Sequence, residues 1–263
     1  MSRLFVFGLG YTARALVRRL GPEWEIVATT RGENGPALPA GGLTGTTHIL
    51  VSIPPDETGD PVLARYGGEI AAFKGLRWLG YLSTTGGYGT RDGGWVDETS
   101  ELRPTGARGA RRVAAEQGWL ALGAHVFRLA GIYGPGRSAF DALRAGTARR
   151  IDAGGQVFSR IHVDDIASVL LASIARPRRG AIYNVCDDEP AAQEAVIAHA
   201  ARLLGLEPPP LVPLAEADLT PLARSFYADN KRVSNALIKR ELGVVLSYLD
   251  YRSGLAAILA AGG

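Results

Sequence analysis

The hydrophobic positions fall into short continuous runs separated by stretches with helical spacing. Residues 3 to 8, RLFVFG, are apolar without alternation and end in glycines. They lead into YTARALVRRLG, with apolar positions at Ala13, Leu16, Val17 and Leu20, so the pattern predicts strand, tight turn, helix. A second apolar run from Trp24 to Thr29 closes a β-α-β unit. Further strands are predicted at 48–55 (HILVSIPP), 77–83 (RWLGYLS), 124–130 (AHVFRLA) and AIYNVC, with helices over 61–73, 105–122, 191–204, 232–242 and 251–261. IHVDDIASVLLASIA reads as an acidic first turn followed by a helix, capped by Asp164 or Asp165. Strands buried on both faces and alternating with helices predict a parallel sheet covered on both sides. The exception is RGENGPALPAGGLTGTT, rich in Gly and Pro without a period, which reads as loop.

At about 150 residues per domain, 263 residues give a prior between one and two domains. The expected division is a dinucleotide-binding core over 1–150 and a smaller lobe over 151–263, folded back onto and interleaved with the core. Hydrophobic residues at 46% and charged residues at 21% are ordinary for a globular chain and exclude a disordered or fibrous one. The net charge of +3 comes with no basic block and no aromatic stripe, which argues against nucleic-acid binding. The single cysteine, Cys186, excludes an intrachain disulfide and a multi-cysteine metal site, and the four histidines lack metal-ligand spacing. The N-terminal apolar run is too short and too glycine-punctuated for a signal peptide or a membrane span, so a soluble, cytoplasmic protein is expected.

Gly8-Leu9-Gly10-Tyr11-Thr12-Ala13 fits the G-x-G-x-x-G/A pattern, after a strand and at the opening of a helix. Gly8 permits the tight turn, Gly10 lets the backbone approach a pyrophosphate, and Ala13 allows close helix–strand packing. The tip of the second strand selects the cofactor, and an acid there would bind a ribose 2′-hydroxyl. This chain has Thr30 and Arg31 instead, and an arginine there suits a 2′-phosphate, so NADP is expected, with NAD the alternative.

The chain resembles the extended, partly atypical short-chain dehydrogenase/reductases, the NAD(P)-dependent epimerase/dehydratase family. The resemblance rests on VFGLGYTA, YLSTTGGYG with WVDETSELRP, RVAAE, FRLAGIYGPGR, IHVDDIA, AIYNVCDDEP and NKRVSNALIKRELG, which extend over nearly the whole chain. It implies a Rossmann-type, doubly wound parallel sheet with a small C-terminal substrate lobe. The cofactor would lie across the carboxyl ends of the strands. It places Thr85 as the catalytic hydroxyl, in Ser83-Thr84-Thr85, and Ser52, Ile53 and Pro54 beside the cofactor. Gly131 and Ile132 fall in the loop that approaches the nicotinamide, and Ser83 and Thr84 also border the cofactor. Arg137 is either a loop charge or a bidentate ligand for an anionic substrate, and His162 is either a packed core residue or part of the substrate cleft. Tyr88 is either the structural tyrosine of the YG turn or a substrate-facing one. A homodimer is an oligomeric state that the resemblance allows.

The family signature Tyr-x-x-x-Lys is not kept. Anchoring on Glu116 puts Arg112 in the Lys position and Arg108 in the Tyr position. Arg112 retains the electrostatic role of the lysine, binding ribose hydroxyls. Arg108 cannot exchange protons near neutral pH and does not replace a phenol. Three resolutions stay open. Another tyrosine (Tyr81, Tyr88 or Tyr133) substitutes, the substrate needs no such acid, or the protein binds a dinucleotide without turnover. A second departure is the interval from Arg31 to Val51, where relatives fit a helix and a strand; that unit reads as shortened or absent. The expected function is therefore an NAD(P)-dependent oxidoreductase or epimerase acting on a hydroxyl or carbonyl of a sugar-like or nucleotide-linked small molecule. The alternative is a non-catalytic NADP(H)-binding sensor or regulatory module.

Overall fold

The computed structural model describes residues 1–32 and 35–263, without the side chains of Thr30, Arg31, Gly32, Gly35, Pro36 and Leu222. The first half runs β1 (Ser2–Phe7), α1 (Tyr11–Val17), β2 (Trp24–Ala28), β3 (Thr30–Gly32), β4 (Gly35–Ala37) and β5 (His48–Val51). It continues with α2 (Pro61–Ala72), β6 (Trp78–Thr84), a single 3-10 turn (Thr85–Tyr88), β7 (Trp95–Val96), α3 (Ala107–Ala121) and β8 (His125–Leu129). Next come β9 (Gly131–Tyr133), α4 (Ala139–Arg144), β10 (Arg150–Asp152), β11 (Arg160–His162), α5 (Val163–Ala175) and β12 (Ile182–Val185). The chain ends with α6 (Gln193–Leu203), β13 (Leu211–Pro213), α7 (Pro221–Ser225), a 3-10 turn (Phe226–Ala228), β14 (Arg232–Val233), α8 (Ala236–Leu242) and α9 (Tyr251–Ala260).

Six parallel strands form the central sheet in the order β12-β8-β6-β5-β1-β2. Its strands are mostly apolar because both faces are covered, with Glu25 of the edge strand β2 and Arg128 of β8 among the exceptions. Leu4 and Val6 of β1 pack with α1, α5 and α8, whereas Phe5 and Phe7 pack with α2 and α3. Each buried indole has a polar partner, as burial without one is costly. Trp78 donates to the Ser173 hydroxyl at 3.0 Å and Trp119 to the Asp60 carboxylate at 2.9 Å. Asp60 also caps α2 through the Val62 and Leu63 amides. A third apolar cluster, with Tyr133, Phe140, Val196, Tyr251, Leu255 and Ile258, joins β9, α4, α6 and α9 beside the sheet.

Three local expectations change. The stretch read as loop contains the β3–β4 hairpin, with no helix among its described residues before β5, and the main sheet ends at β2. Helix α5 is capped by neither Asp164 nor Asp165. The His162 Nδ1 accepts from the Asp164 amide at 3.2 Å, because the helix begins one residue earlier, at Val163. Asp165 is fully buried and accepts from the Ser247 and Tyr248 amides, tying the segment before α9 to α5. Residues 232 and 233, expected at the start of a helix, instead pair with Trp95 and Val96, and α8 starts at Ala236.

Candidate functional site

Because β1, β5, β6 and β8 are parallel neighbours, the segments that follow them leave the same edge of the sheet. This brings together Gly8–Ala13, Ser52–Pro54, Ser83–Thr85 and Gly131–Ile132. The strand order reverses between β1 and β5, since β2 lies on one side of β1 and β5 on the other. Open parallel sheets take their ligands in the crevice at such a reversal.

Gly8 has φ +88°, and a Cβ there would stand 2.7 Å from Ile53 Cγ1 and 3.1 Å from Ser52 Oγ. Only glycine fits both the left-handed backbone and the close approach. The Ser52 hydroxyl donates to the Gly8 carbonyl, and the Gly8 amide donates to the Thr29 hydroxyl at 3.0 Å, so three strand ends are laced together. Gly10 differs, being extended (φ −86°), and a Cβ there would meet nothing within 4 Å. No protein contact requires glycine at this position. Leu9 packs at the core margin, and Thr12 and Ala13 are buried in the first turn of α1. The Tyr11 hydroxyl donates to the Pro135 carbonyl at 3.0 Å, and the Arg137 guanidinium lies 5.9 Å from the Tyr11 ring. Tyr11 thus joins the glycine turn to the loop after β9. Thr30 and Arg31 are backbone members of β3, and their side chains lie outside the described residues.

On the next strand Thr84 accepts from the Gly86 amide at 3.2 Å, capping the turn that carries Thr85. Thr85 is half-buried, and its hydroxyl has no partner among the described residues. Helix α3 touches this turn at Gly109, where a Cβ would lie 3.1 Å from the Gly86 carbonyl oxygen. Arg108 and Arg112 flank that contact. Arg112 Nη1 donates to the Leu82 carbonyl at 2.9 Å and to the Tyr81 hydroxyl at 3.1 Å, fixing the guanidinium at the end of β6. Arg108 is exposed and lies 5.7 Å from the Phe226 ring.

Beneath them runs a polar network that ties Ser83, Tyr88 and Glu116 to two residues the sequence did not single out, Arg128 and Asn184. Glu116 and Arg128 form a buried ion pair at 2.8 Å, their side chains 2% and 4% exposed. Ser83 donates to Glu116, and Arg128 donates to the Tyr88 hydroxyl at 2.9 Å. Tyr88 in turn donates to Asn184 at 2.8 Å. The available signal was Arg128 itself, a lone cation inside the apolar run AHVFRLA.

Two candidates move away from the cleft surface. Tyr88 is fully buried and held by Asn184 and Arg128, so it occupies the structural position of the YG turn rather than a substrate-facing one. His162 is 2% exposed, caps α5, and packs edge-on to Tyr133 and 4.1 Å from the Tyr248 ring centre. Desolvation holds its pKa below the usual histidine value. It therefore sits in the packed core. Arg137 remains exposed, and Gly131 and Ile132 lie at the sheet edge. Among the described residues no group of three His, Cys, Asp or Glu is placed to hold a metal ion, and no helix is long and apolar enough to cross a membrane.

This fold is that of the NAD-dependent epimerase/dehydratase and short-chain dehydrogenase/reductase proteins. A dTDP-glucose 4,6-dehydratase from Bacillus anthracis, in complex with NAD, superposes with TM-score 0.74 at 15% identity, covering 99% of this chain and 96% of its own. A human epimerase family protein with NADPH superposes with TM-score 0.76 at 17% identity, covering 98% and 99%. More specifically, the chain belongs to the same family as a conserved protein of unknown function from Silicibacter pomeroyi. The two are 56% identical over 99% of each chain, with TM-score 0.94. No family model matches the sequence. Among curated proteins, Protein YeeZ of Escherichia coli is 33% identical over 134 residues, 49% of this chain and 47% of that protein. A Streptomyces 3-diazoavenalumate denitrifying reductase is 36% identical over 141 residues, 49% of this chain and 45% of that protein. The chain thus spans about half the length of the curated relatives it matches.

Proposed function

We propose that this protein is an NADP-preferring oxidoreductase or epimerase-like protein acting on a hydroxyl or carbonyl of a sugar-like or nucleotide-linked small molecule. The observation that carries the reading is the contrast between the two glycines. Gly8 is glycine because Ile53 and Ser52 leave no room for a Cβ, whereas Gly10 faces open space. A glycine with no intramolecular reason, at a strand-order reversal and at the start of a helix, is explained by close approach of a pyrophosphate. The NAD and NADPH complexes among the structural neighbours support the same cofactor class, and the reductase among the relatives supports redox chemistry.

A bound nicotinamide dinucleotide supplies the hydride donor or acceptor. The chain supplies binding and orientation. The Gly8–Ala13 turn would hold the pyrophosphate, with Ser52, Ile53 and Pro54 beside the ribose. The expectation that Arg31 selects NADP falls on a side chain outside the described residues. Arg112, anchored on Leu82 and Tyr81, presents its remaining N–H groups to ribose hydroxyls, the electrostatic part of the absent lysine. The Thr85 hydroxyl, without a partner among the described residues, would hydrogen-bond the reacting oxygen, and Gly131 and Ile132 would border the nicotinamide. The small-molecule substrate enters between the Thr85 turn and the loop carrying Arg137. A non-catalytic sensor is the second reading, favoured by Arg108 in the place of the proton-transferring tyrosine.

The test is titration of NADPH and NADH into wild type and Gly10→Ala. Wild type is expected to bind NADPH about tenfold more tightly than NADH or better, and Gly10→Ala to lose about tenfold in affinity while its melting temperature stays unchanged. Absence of binding, or unaltered binding by Gly10→Ala, refutes the reading. NADPH oxidation with a carbonyl panel, abolished in Thr85→Val, selects the enzyme; tight binding without oxidation selects the sensor.

A further inference from the structure

Three guanidinium groups border the site, those of Arg108, Arg112 and Arg137. None takes part in the ion pairs found among the described residues. Each instead lies against an aromatic ring. Arg108 is 5.7 Å from Phe226, Arg112 5.7 Å from Tyr81 and Arg137 5.9 Å from Tyr11. Arginine stacked on a ring keeps the N–H edge of its fork free for a carboxylate or phosphate.

Arg108 is the informative one. It stands one helical turn before Arg112 on α3, so two cations face the same side four residues apart, an arrangement that is mildly unfavourable without a counter-charge. The first turn of α3 contains no acidic residue. On the lobe side, the Asp229 carboxylate is engaged by the Thr105 hydroxyl and by Lys231 at 3.3 Å. Phe226 is itself positioned, because Gln156 donates to the neighbouring Asp229 carbonyl at 2.6 Å and α7 leads into its turn. The α3 contact at Gly109 puts the backbone that carries Arg108 next to the turn that carries Thr85.

We propose that the substrate bears a carboxylate or phosphate group close to its reacting carbonyl or hydroxyl, and that Arg108 receives this group through the free edge of its guanidinium. The proposal rests on the dinucleotide reading above and deepens it. Where relatives keep a proton donor, this chain keeps an anion receptor. Arg112 adds to the positive field while staying anchored to the sheet, and Arg137 extends it along the opposite rim.

The test uses the NADPH-saturated protein and three probes: benzoate, its neutral isostere benzamide, and inorganic phosphate. Binding is followed by calorimetry in wild type, Arg108→Gln and Arg108→Lys. Benzoate is expected to bind wild type about tenfold more tightly than benzamide, as expected for a hydrogen bond between charged partners. In Arg108→Gln the preference falls to about threefold or less, with Arg108→Lys between. Phosphate competing with benzoate identifies a phosphate-type anion; benzoate binding alone identifies a carboxylate. Equal binding of benzoate and benzamide, binding of neither, or a preference surviving in Arg108→Gln overturns the proposal. NADPH affinity, read in the same samples, is expected to change less than about twofold in Arg108→Gln, and loss of cofactor binding in wild type would instead overturn the reading beneath. Arg108 is exposed, so its replacement leaves the fold in place.

Discussion

Removing one partner of the Glu116–Arg128 pair should be among the most destabilising changes available in this chain. Three contacts join the two side chains, from Arg128 Nε at 3.0 and 3.3 Å and from Nη2 at 2.8 Å. Both side chains are excluded from water. Glu116→Ala leaves the guanidinium in the core with only Tyr88 as partner and leaves the Ser83 hydroxyl without its acceptor. Breaking a buried pair from one side costs about 3–5 kcal/mol, because an uncompensated charge stays behind. At about 2–4 °C per kcal/mol for a chain of this size, the melting temperature should fall by roughly 6–20 °C. Glu116→Met with Arg128→Met removes both charges at similar volume and should recover most of that loss. Differential scanning calorimetry of the cofactor-free protein, checked by urea unfolding, measures both. A loss below about 1 kcal/mol in Glu116→Ala, or a double variant worse than the single, would show that the pair is solvated and does not anchor α3.

Two further outcomes follow from the same geometry. A Cβ at Gly254 would lie 2.1 Å from the Tyr133 hydroxyl, so Gly254→Ala should destabilise by about 1–3 kcal/mol in denaturant unfolding despite the gain in helix propensity. Adding Tyr133→Phe should relieve part of the loss, and independent, additive effects of the two changes would contradict the clash. Asp187 is 1% exposed with one carboxylate oxygen unpartnered, and burial raises its pKa to about 8 even though the Arg160 charge opposes this. The folded state therefore holds a proton that the unfolded chain has released above its ordinary pKa near 4, and stability falls as pH rises from about 4 to about 8. Asp187→Asn cannot titrate, so its melting temperature relative to wild type should rise across that window; a constant or shrinking difference would refute the assignment.

The parts of the fold that were legible in the sequence are those in which local pattern and tertiary burial agree. The strands of the central sheet are short, mostly apolar runs because helices cover both faces, and their pattern finds them. The glycine turn was legible because its motif is contiguous, Gly8 to Ala13, although the contacts that require glycine at Gly8 come from the distant Ser52 and Ile53. What escaped depends on partners distant in sequence. Arg232 and Val233 are strand only because Trp95 and Val96 lie alongside. The β3–β4 hairpin has too few residues and too many glycines and prolines for alternation to show. At α5 the two aspartates drew the cap, yet the chain turns helical one residue earlier and Asp165 serves the distant amides of Ser247 and Tyr248. Glu116 was noticed as a sequence anchor, but its partner Arg128 is defined only by the packing of α3 on β8.

The tyrosines sharpen what chemistry the cleft retains. A tyrosine acting as acid or base near neutral pH needs its phenol pKa lowered by a nearby cation. All four near the site are shifted the other way by burial. Tyr81 is pushed up to about 12 even with Arg112 donating to it, and Tyr11, Tyr88 and Tyr133 are also raised. Tyr11 donates to the Pro135 carbonyl, Tyr133 to the Asp250 carbonyl and Tyr88 to Asn184, so these protons are committed to structure. Of the three tyrosines named from the sequence, Tyr88 and Tyr133 thus have their hydroxyl protons engaged by protein acceptors, whereas the Tyr81 hydroxyl accepts from Arg112 at the end of β6. On the proposed enzyme reading without such a phenol, the proton that accompanies hydride transfer comes from water, with Thr85 and Arg108 positioning the reacting group; on the sensor reading no hydride moves. Arg108 bears on the first of these alone, so the benzoate titration and the NADPH oxidation assay together separate the two readings.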